Sequence, residues 1–303
     1  MVSRRSNRRG RPLLCVLFVL LVSTGLLATT MGSFGCQTTS GAAGKATGAA
    51  ADVLLPPSDE EKLGDQFSAD VEEELDLHPD PDVQAYIQKL GALAIKSAGD
   101  DAPDEIEFEF KVVDDPQTVN AFAGPGGQIY FYSGLLLEAD NTAEVLAVMC
   151  HEVAHVTERH IAERLVTMYG MEALASAALG RNPSLLAQIA TTIGAQGFLL
   201  KYSRDQERQA DSVGLQYMVD TPYDPNGFVT FFRKLEGGTP VPTFLSSHPS
   251  PTERVNNLQT AISKKSGLST NLGIDEHQLI KKKLAPPETS EEGTGSEQPA
   301  AKR

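Results

Sequence analysis

One short run constrains this chain more than any other feature: residues His151 to His155 read His-Glu-Val-Ala-His. Apolar residues at helical spacing surround the run and predict one helix over residues 141–160. Because successive helical residues turn about 100°, the two histidines lie on the same side of that helix, one turn apart. Glu152 projects beside them. The pattern therefore predicts two imidazoles and a carboxylate gathered at one place on a helix.

These residue types suit zinc. The ion binds neutral imidazoles together with a carboxylate or a third nitrogen, and catalytic zinc sites keep one position open for water. We therefore expect His151 and His155 to bind one zinc ion per chain. Glu152 is then placed to act as general base and general acid in the hydrolysis of a peptide bond. The run alone also occurs in proteins that are not enzymes, and the alternative is that both histidines only form hydrogen bonds inside a core.

A third ligand is needed, and the same helix does not offer one. Ile161, ten residues after His151, has no donor atom, and His160 would lie about 180° round the helix from His151. We therefore interpret His160 as a solvent-facing residue. Glu207 is the better candidate, because a second helical pattern carries it and places Asp211 one turn further on. Glu207 would bind the metal while Asp211 accepts a hydrogen bond from the outer nitrogen of a ligand histidine; a charged helix face is the alternative.

The remaining pattern predicts an α+β chain that is mainly helical. Helices are expected over residues 58–77 and 81–97. Strict alternation of apolar and polar residues predicts strands over 106–112 and 128–132, and hence a small antiparallel sheet beside the helix with the histidines. The apolar stretch 185–200 is too short and too polar for a membrane span, so we expect a buried or surface-lying helix there.

The amino terminus has the layout of a secretion signal. Its first eleven residues hold five arginines and no acid, and an apolar run follows over residues 13–28. That run is short for a membrane span, although a retained signal anchor stays open. The segment ending at Cys36 is similar to a bacterial lipobox, but Ser33 stands where that pattern usually has Leu. Lipidation of Cys36 and ordinary signal cleavage are therefore the two alternatives, and we expect a membrane tether through the lipid or the anchor.

Composition divides the chain into five parts. We expect a signal peptide of the lipoprotein type over 1–36, a flexible linker over 37–57, a catalytic domain over 58–270, an extension over 271–285 and a disordered acidic tail over 286–303. The net charge of −14 argues against nucleic acid as a partner. Loss of the first 36 residues, with their five arginines, would take that charge to −19.

Three further residues that bind metals in other proteins have simpler interpretations. Cys150 adjoins His151 but points about 100° away on the helix, so we interpret it as a core thiol. His78 and His277 have no partners in the sequence pattern, and we interpret both as surface residues.

At this point a resemblance becomes specific. The run from His151 to His155, followed by Glu207 and Asp211, resembles the gluzincin family of zinc metalloendopeptidases that includes HtpX and the CAAX prenyl protease. The resemblance covers roughly residues 58–265. Further matches are the segments 120–123, 126–130 and 223–227, and His248-Pro249 with Arg254.

The resemblance implies a zincin-type fold and further site residues. It implies an edge strand that aligns an extended, largely sequence-tolerant substrate, made of Gln128, Ile129, Tyr130 and Phe131. It brings His248 near the metal, either as a transition-state donor or as a reversible fourth ligand that makes the resting enzyme latent; a loop histidine without a site role is the alternative. Arg254 would orient that loop or the carboxylate of Asp211, unless it lies on a helix surface.

Within the family, the chain is most similar to the exported bacterial BepA-like and LoiP-like group, some of which are outer-membrane lipoproteins. We therefore expect a periplasmic, membrane-tethered zinc metalloendopeptidase. Its expected substrates are misfolded or unassembled envelope proteins, so that its role is quality control. The alternative is a periplasmic chaperone or assembly factor that binds extended chains with little turnover.

Overall fold

The computed structural model describes residues 55–178, 181–182, 184–185, 187–188, 201–236, 243–248 and 251–285. The predicted signal peptide, the acidic tail, most of the linker and most of the apolar stretch 185–200 lie outside these ranges. Within the described ranges, no helix combines the length and the apolar character needed to cross a bilayer. The domain boundaries proposed from composition stay predictions.

Helices dominate the described part of the chain and a three-stranded sheet lies among them, so the predicted α+β class is confirmed. The strands are β1 (Glu109–Val113), β2 (Ala121–Ala123) and β3 (Gln128–Tyr132). The helices include α1 (Pro57–Glu74), α2 (Pro81–Ala98), α3 (Ser133–Glu138), α4 (Thr142–Thr157), α5 (His160–Tyr169), α6 (Met171–Ala178), α7 (Arg204–Val219), α8 (Gly227–Glu236), α9 (Phe244–Ser247), α10 (Pro251–Ser263) and α11 (Ile274–Leu284).

The sheet is mixed rather than wholly antiparallel. Its strand order is β1-β3-β2, with β1 parallel to β3 and β2 antiparallel to β3. The two strands that alternation predicts are β1 and β3, and they run in the same direction because β2 lies between them in the chain and makes the return. With only three residues, β2 is too short to show an alternation of its own.

The same strand order overturns the predicted edge strand. β3 is the middle strand, paired with β1 along one side and with β2 along the other, so its backbone has no free edge for a substrate. This correction applies to Gln128, Ile129, Tyr130 and Phe131, all of which are buried. The outer strand that contacts α4 is β2.

Helix α4 is the centre of the fold and is buried along nearly its whole length. Its start is fixed by Asn141, whose side chain accepts a hydrogen bond from the backbone N–H of Glu144 at 3.1 Å. Its end comes at Thr157, three residues before the predicted one, because Arg159 adopts the left-handed conformation with φ of 60°. The buried Arg159 guanidinium binds the carboxylate of Glu60 and the carbonyl oxygen of Leu55, which stabilises this otherwise unfavourable backbone.

Helix α7 approaches α4 at a distance that requires a glycine. A Cβ atom on Gly214 would lie 2.8 Å from the carbonyl oxygen of Cys150 and 3.1 Å from the backbone nitrogen of His151. Backbone contact therefore sets the separation of these two helices. Cys150 itself is buried with a free thiol, which confirms its interpretation as a core residue.

His277 on α11 is buried, so its prediction as a surface residue is wrong. Its Nε2 lies 2.9 Å from the carbonyl oxygen of Ala139 and its Nδ1 lies 3.0 Å from the hydroxyl of Tyr86. Since a carbonyl oxygen can only accept, Nε2 carries the proton and Nδ1 accepts from the tyrosine. These partners are distant in the sequence, which is why no local pattern reveals the burial.

The buried position of His277 predicts a pH-dependent stability. Burial lowers its pKa below the ordinary value of 6.5, and the charge of Lys281 lowers it further, against the hydrogen bond to Ala139. As the pH falls, the unfolded chain therefore takes up the proton first. The contribution of neutral His277 to the free energy of unfolding is complete above pH 6.5 and falls as the pH drops below that value. His277→Gln keeps a donor for Ala139 but does not titrate. As the pH is lowered below 6.5, the free energy of unfolding measured in urea should therefore fall less steeply in this variant than in the wild type, by up to about 1.4 kcal/mol per pH unit. A parallel loss in both proteins would contradict this role.

Candidate metal centre

Two helices bring the three expected ligands together. On α4, His151 and His155 point their Nε2 atoms at each other, 3.1 Å apart. On α7, a capping box at Ser203 fixes the helix start and places Glu207 in the first turn. Its carboxylate oxygens lie 3.5 Å from Nε2 of His155 and 3.7 Å from Nε2 of His151. All three side chains are buried.

His248 joins this cluster from the loop after α9. Its Nδ1 lies 2.9 Å from Oε1 of Glu207 and 3.3 Å from Nε2 of His151. Its ring stacks on that of Phe244 with centroids 4.3 Å apart, which fixes the orientation of the imidazole. One ligand atom each from His151, His155, Glu207 and His248 all lie within 4.8 Å of one another.

The donor set fits zinc. Imidazole nitrogens and carboxylate oxygens, here three and one, are among zinc's usual ligands in proteins. Nitrogen lone pairs that face one another at 3.1 Å repel, and a cation between them removes the repulsion. Within the described ranges neither carboxylate oxygen of Glu152 has a hydrogen-bond partner, although both are buried. A buried carboxylate without a partner is costly, so this position also suits a bound polar molecule.

The charge states of His155 and Glu207 are those that metal binding requires. Burial lowers the pKa of His155 well below its ordinary value, so its imidazole is neutral. Burial opposes ionisation of Glu207, but the neighbouring His248 and Arg254 outweigh it and hold the pKa of Glu207 well below the ordinary value. The carboxylate is therefore ionised.

A buried ion pair between Asp211 and Arg254 contacts two of the ligand residues. Oδ1 of Asp211 lies 3.2 Å from Nδ1 of His151, the outer nitrogen of that ring. Arg254 binds both oxygens of Asp211 through Nε and Nη2, each at 2.7 Å. Its Nη1 lies 2.6 Å from Oε2 of Glu207, and its guanidinium stacks over the ring of Phe232 at 4.3 Å. Arg254 is thus a buried partner of the ligand set and not a helix-surface residue.

Two residues lie beside the ligands although the sequence pattern did not predict them there. His160 is buried, with its Nδ1 2.9 Å from Nδ1 of His155, so its interpretation as solvent-facing is wrong. Tyr202 stacks its ring on that of His155 with centroids 3.7 Å apart. Helical periodicity that continues past residue 157 hides the change of direction at Arg159 that turns His160 inward. Tyr202 stands just before the capping residue Ser203, a position with no periodic signal.

The sequence itself matches a known family across this whole site. Residues 80–262 match peptidase family M48. The chain belongs to peptidase family M48. This confirms the resemblance drawn from the motifs, and the M48 match includes every residue of the cluster and of the supporting ion pair.

Similar proteins include beta-barrel assembly-enhancing proteases and mitochondrial metalloendopeptidases. The chain is 28% identical to the beta-barrel assembly-enhancing protease of Escherichia coli over 221 residues, which is 69% of this chain and 45% of that protein. It is 31% identical to the mitochondrial metalloendopeptidase OMA1 of Schizosaccharomyces pombe over 162 residues, 51% of this chain and 47% of that protein. For OMA1 of Arabidopsis thaliana the identity is 35% over 158 residues, 52% and 32% of the two chains. The chain spans less than half the length of each of these relatives.

Proposed function

We propose that the chain is a zinc-dependent endopeptidase. The observation that carries the proposal is the buried set of His151, His155 and Glu207 on two helices in backbone contact, with the carboxylate of Glu152 beside it. Membership of peptidase family M48 supports the same reaction class. Cleavage of unfolded casein tests it: we expect activity that a chelator removes and that one equivalent of zinc per chain restores.

The residues divide the chemistry between them. His151, His155 and Glu207 would hold the zinc, which supplies Lewis acidity to a water molecule and to the substrate carbonyl. Glu152 takes a proton from that water as the water oxygen attacks the peptide carbonyl carbon. The same carboxyl group then gives the proton to the leaving amine nitrogen as the C–N bond breaks. Asp211 accepts a hydrogen bond from the outer N–H of His151 and so orients that ring. Arg254 in turn orients Asp211 through two hydrogen bonds.

His248 is proposed as a reversible fourth ligand that keeps the resting enzyme latent. Two contacts support this role: its Nδ1 faces the ligand atoms, and its Nε2 lies 3.5 Å from Oε1 of Glu152. A side chain at this place occupies the position that water would need.

Removal of the fourth ligand should therefore activate the enzyme. We expect His248→Ala to raise the initial rate of casein cleavage several-fold while one zinc per chain is retained, because the open position is freed. Ser246→Ala, an exposed change on α9 two residues before His248, is the matched control and should leave the rate as it is. A fall in rate would assign His248 to transition-state donation, and an unchanged rate would remove it from the site.

The proposed substrates are misfolded or unassembled envelope proteins, cleaved by a periplasmic enzyme that is tethered to the membrane. The name of the bacterial relative, a beta-barrel assembly-enhancing protease, supports this class of substrate. Cys36, as the lipidated residue, or a retained signal anchor would supply the tether. The net charge of −14 disfavours nucleic acid.

A second candidate is a chaperone or assembly factor that binds extended chains with little turnover. The complete burial of His151, Glu152 and His155 favours it, because a peptide bond cannot reach these residues in this conformation. The casein assay separates the two. Suppressed aggregation without any cleavage, in the zinc-loaded protein, would favour the chaperone.

A further inference from the structure

The outer nitrogens of the two helix-borne ligand histidines have different partners. Nδ1 of His151 faces a carboxylate, that of Asp211, at 3.2 Å. Nδ1 of His155 faces another imidazole, with Nδ1 of His160 at 2.9 Å. We propose that His160 is a positioning residue, which accepts the Nδ1–H of His155 and thereby holds Nε2 of that ring free for the metal. The proposal rests on the zinc site proposed above.

The protons in this contact can be assigned by elimination. Nε2 of His155 faces the other ligand atoms, 3.1 Å from Nε2 of His151 and 3.5 Å from Oε1 of Glu207, so a metal ligand there must have its lone pair free. A neutral imidazole has a single N–H, and that proton is then on Nδ1. Two nitrogens at 2.9 Å share only one proton, so Nδ1 of His160 is the acceptor.

This assignment continues outward without a conflict. His160 accepts at Nδ1, so its own proton is on Nε2, which lies 3.4 Å from Oε1 of Gln209. The amide nitrogen of Gln209 in turn donates to the carboxylate of Glu158. From His155 through His160 and Gln209 to Glu158, each group donates a hydrogen bond to the next. One set of proton positions therefore satisfies every contact. This chain of hydrogen bonds ends at the side chain of Glu158 near the surface, whose oxygens accept, and this favours donation from the metal site outward.

The backbone conformation of Arg159 makes the hydrogen bond between His155 and His160 possible. On one continuous helix, His160 would lie about 140° round the axis from His155 and could not reach its ring. The left-handed φ of 60° at Arg159 ends α4 and starts α5, and this turns His160 back towards the ligand. The buried ion pair of Arg159 with Glu60 therefore also acts on the metal site, through a histidine.

Two substitutions separate positioning from packing. His160→Asn places a side-chain oxygen near the original Nδ1 and can still accept from His155, whereas His160→Leu fills similar space with no acceptor. We expect zinc affinity, measured by competition with a chromophoric chelator, to fall about 10- to 100-fold in the Leu variant. The Asn variant should keep the affinity of the wild type, because it still accepts the hydrogen bond from His155. In casein-derived peptide assays at saturating zinc, kcat should fall in the Leu variant with KM unchanged.

Nitrogen NMR of the wild type gives a test that needs no substitution. In zinc-loaded protein with ¹⁵N-labelled histidine, we expect His155 to be protonated on Nδ1 and His160 on Nε2. A proton on Nδ1 of His160 would overturn the proposal, as would equal loss of affinity in the Asn and Leu variants, or full affinity in a folded Leu variant. If the wild type bound no zinc, the proposed function itself would fail. If the wild type bound zinc and cleaved casein while replacement of His160 left zinc affinity unchanged, only this inference would fail.

Discussion

Replacing Glu152 with Gln should reduce kcat for casein cleavage by about 10²- to 10⁴-fold, the usual contribution of general acid–base catalysis. Gln has the same shape but cannot take a proton from water or return it to the amine. Glu152 is not among the four clustered ligand residues, so zinc content should stay at one per chain. Measurements of kcat and zinc content on the same preparation check both expectations, and the thermal midpoint shows whether the variant is folded.

The control for this change is Glu73→Gln, which makes the same chemical substitution at an exposed position on α1. It should leave kcat and zinc content at the wild-type values. Equal cleavage by the wild type and Glu152→Gln would show that hydrolysis does not use this carboxylate, and would remove the endopeptidase proposal.

Replacing Glu207 with Ala should cost the protein its zinc. The change removes the only carboxylate of the four-residue ligand cluster among the described residues and takes away a partner of the buried Arg254 guanidinium. We therefore expect zinc affinity to fall by more than the 10- to 100-fold that loss of a supporting residue typically causes. Zinc should then no longer raise the thermal midpoint, since a ligand stabilises only the state that binds it.

Metal analysis and thermal unfolding with and without added zinc measure both effects. Asp205→Asn is the matched control, because Asp205 lies on the same helical turn with its side chain 74% exposed. It should bind one zinc and be stabilised by it as the wild type is. One tightly bound zinc per chain in Glu207→Ala would exclude Glu207 as a ligand.

The residues that could be predicted are those whose neighbours are set by helix geometry alone. His151 and His155 are one turn apart on any helix, and Glu207 with Asp211 repeats that spacing, so the sequence brings each pair together. Only the tertiary fold brings the two pairs face to face, and the family resemblance supplied that step. The M48 match agrees with it.

The errors have one physical cause, which is contact between residues far apart in the chain. His160 turns inward because Arg159 is held by Glu60, and a local pattern contains no sign of that ion pair. His277 is buried by Tyr86 and Ala139. The predicted edge strand failed because strand order depends on β2, whose three residues give no periodic signal.

The contact at Gly214 has a consequence for how the site tolerates change elsewhere. Backbone atoms of α4 and α7 meet there, so the span between the two helices beside His151 is set by main-chain contact. Substitutions that resize the apolar core further away can lower the stability of the protein while leaving that span as it is. A side chain at position 214 would instead push α4 and α7 apart beside His151, and would so move Glu207 away from the histidine pair.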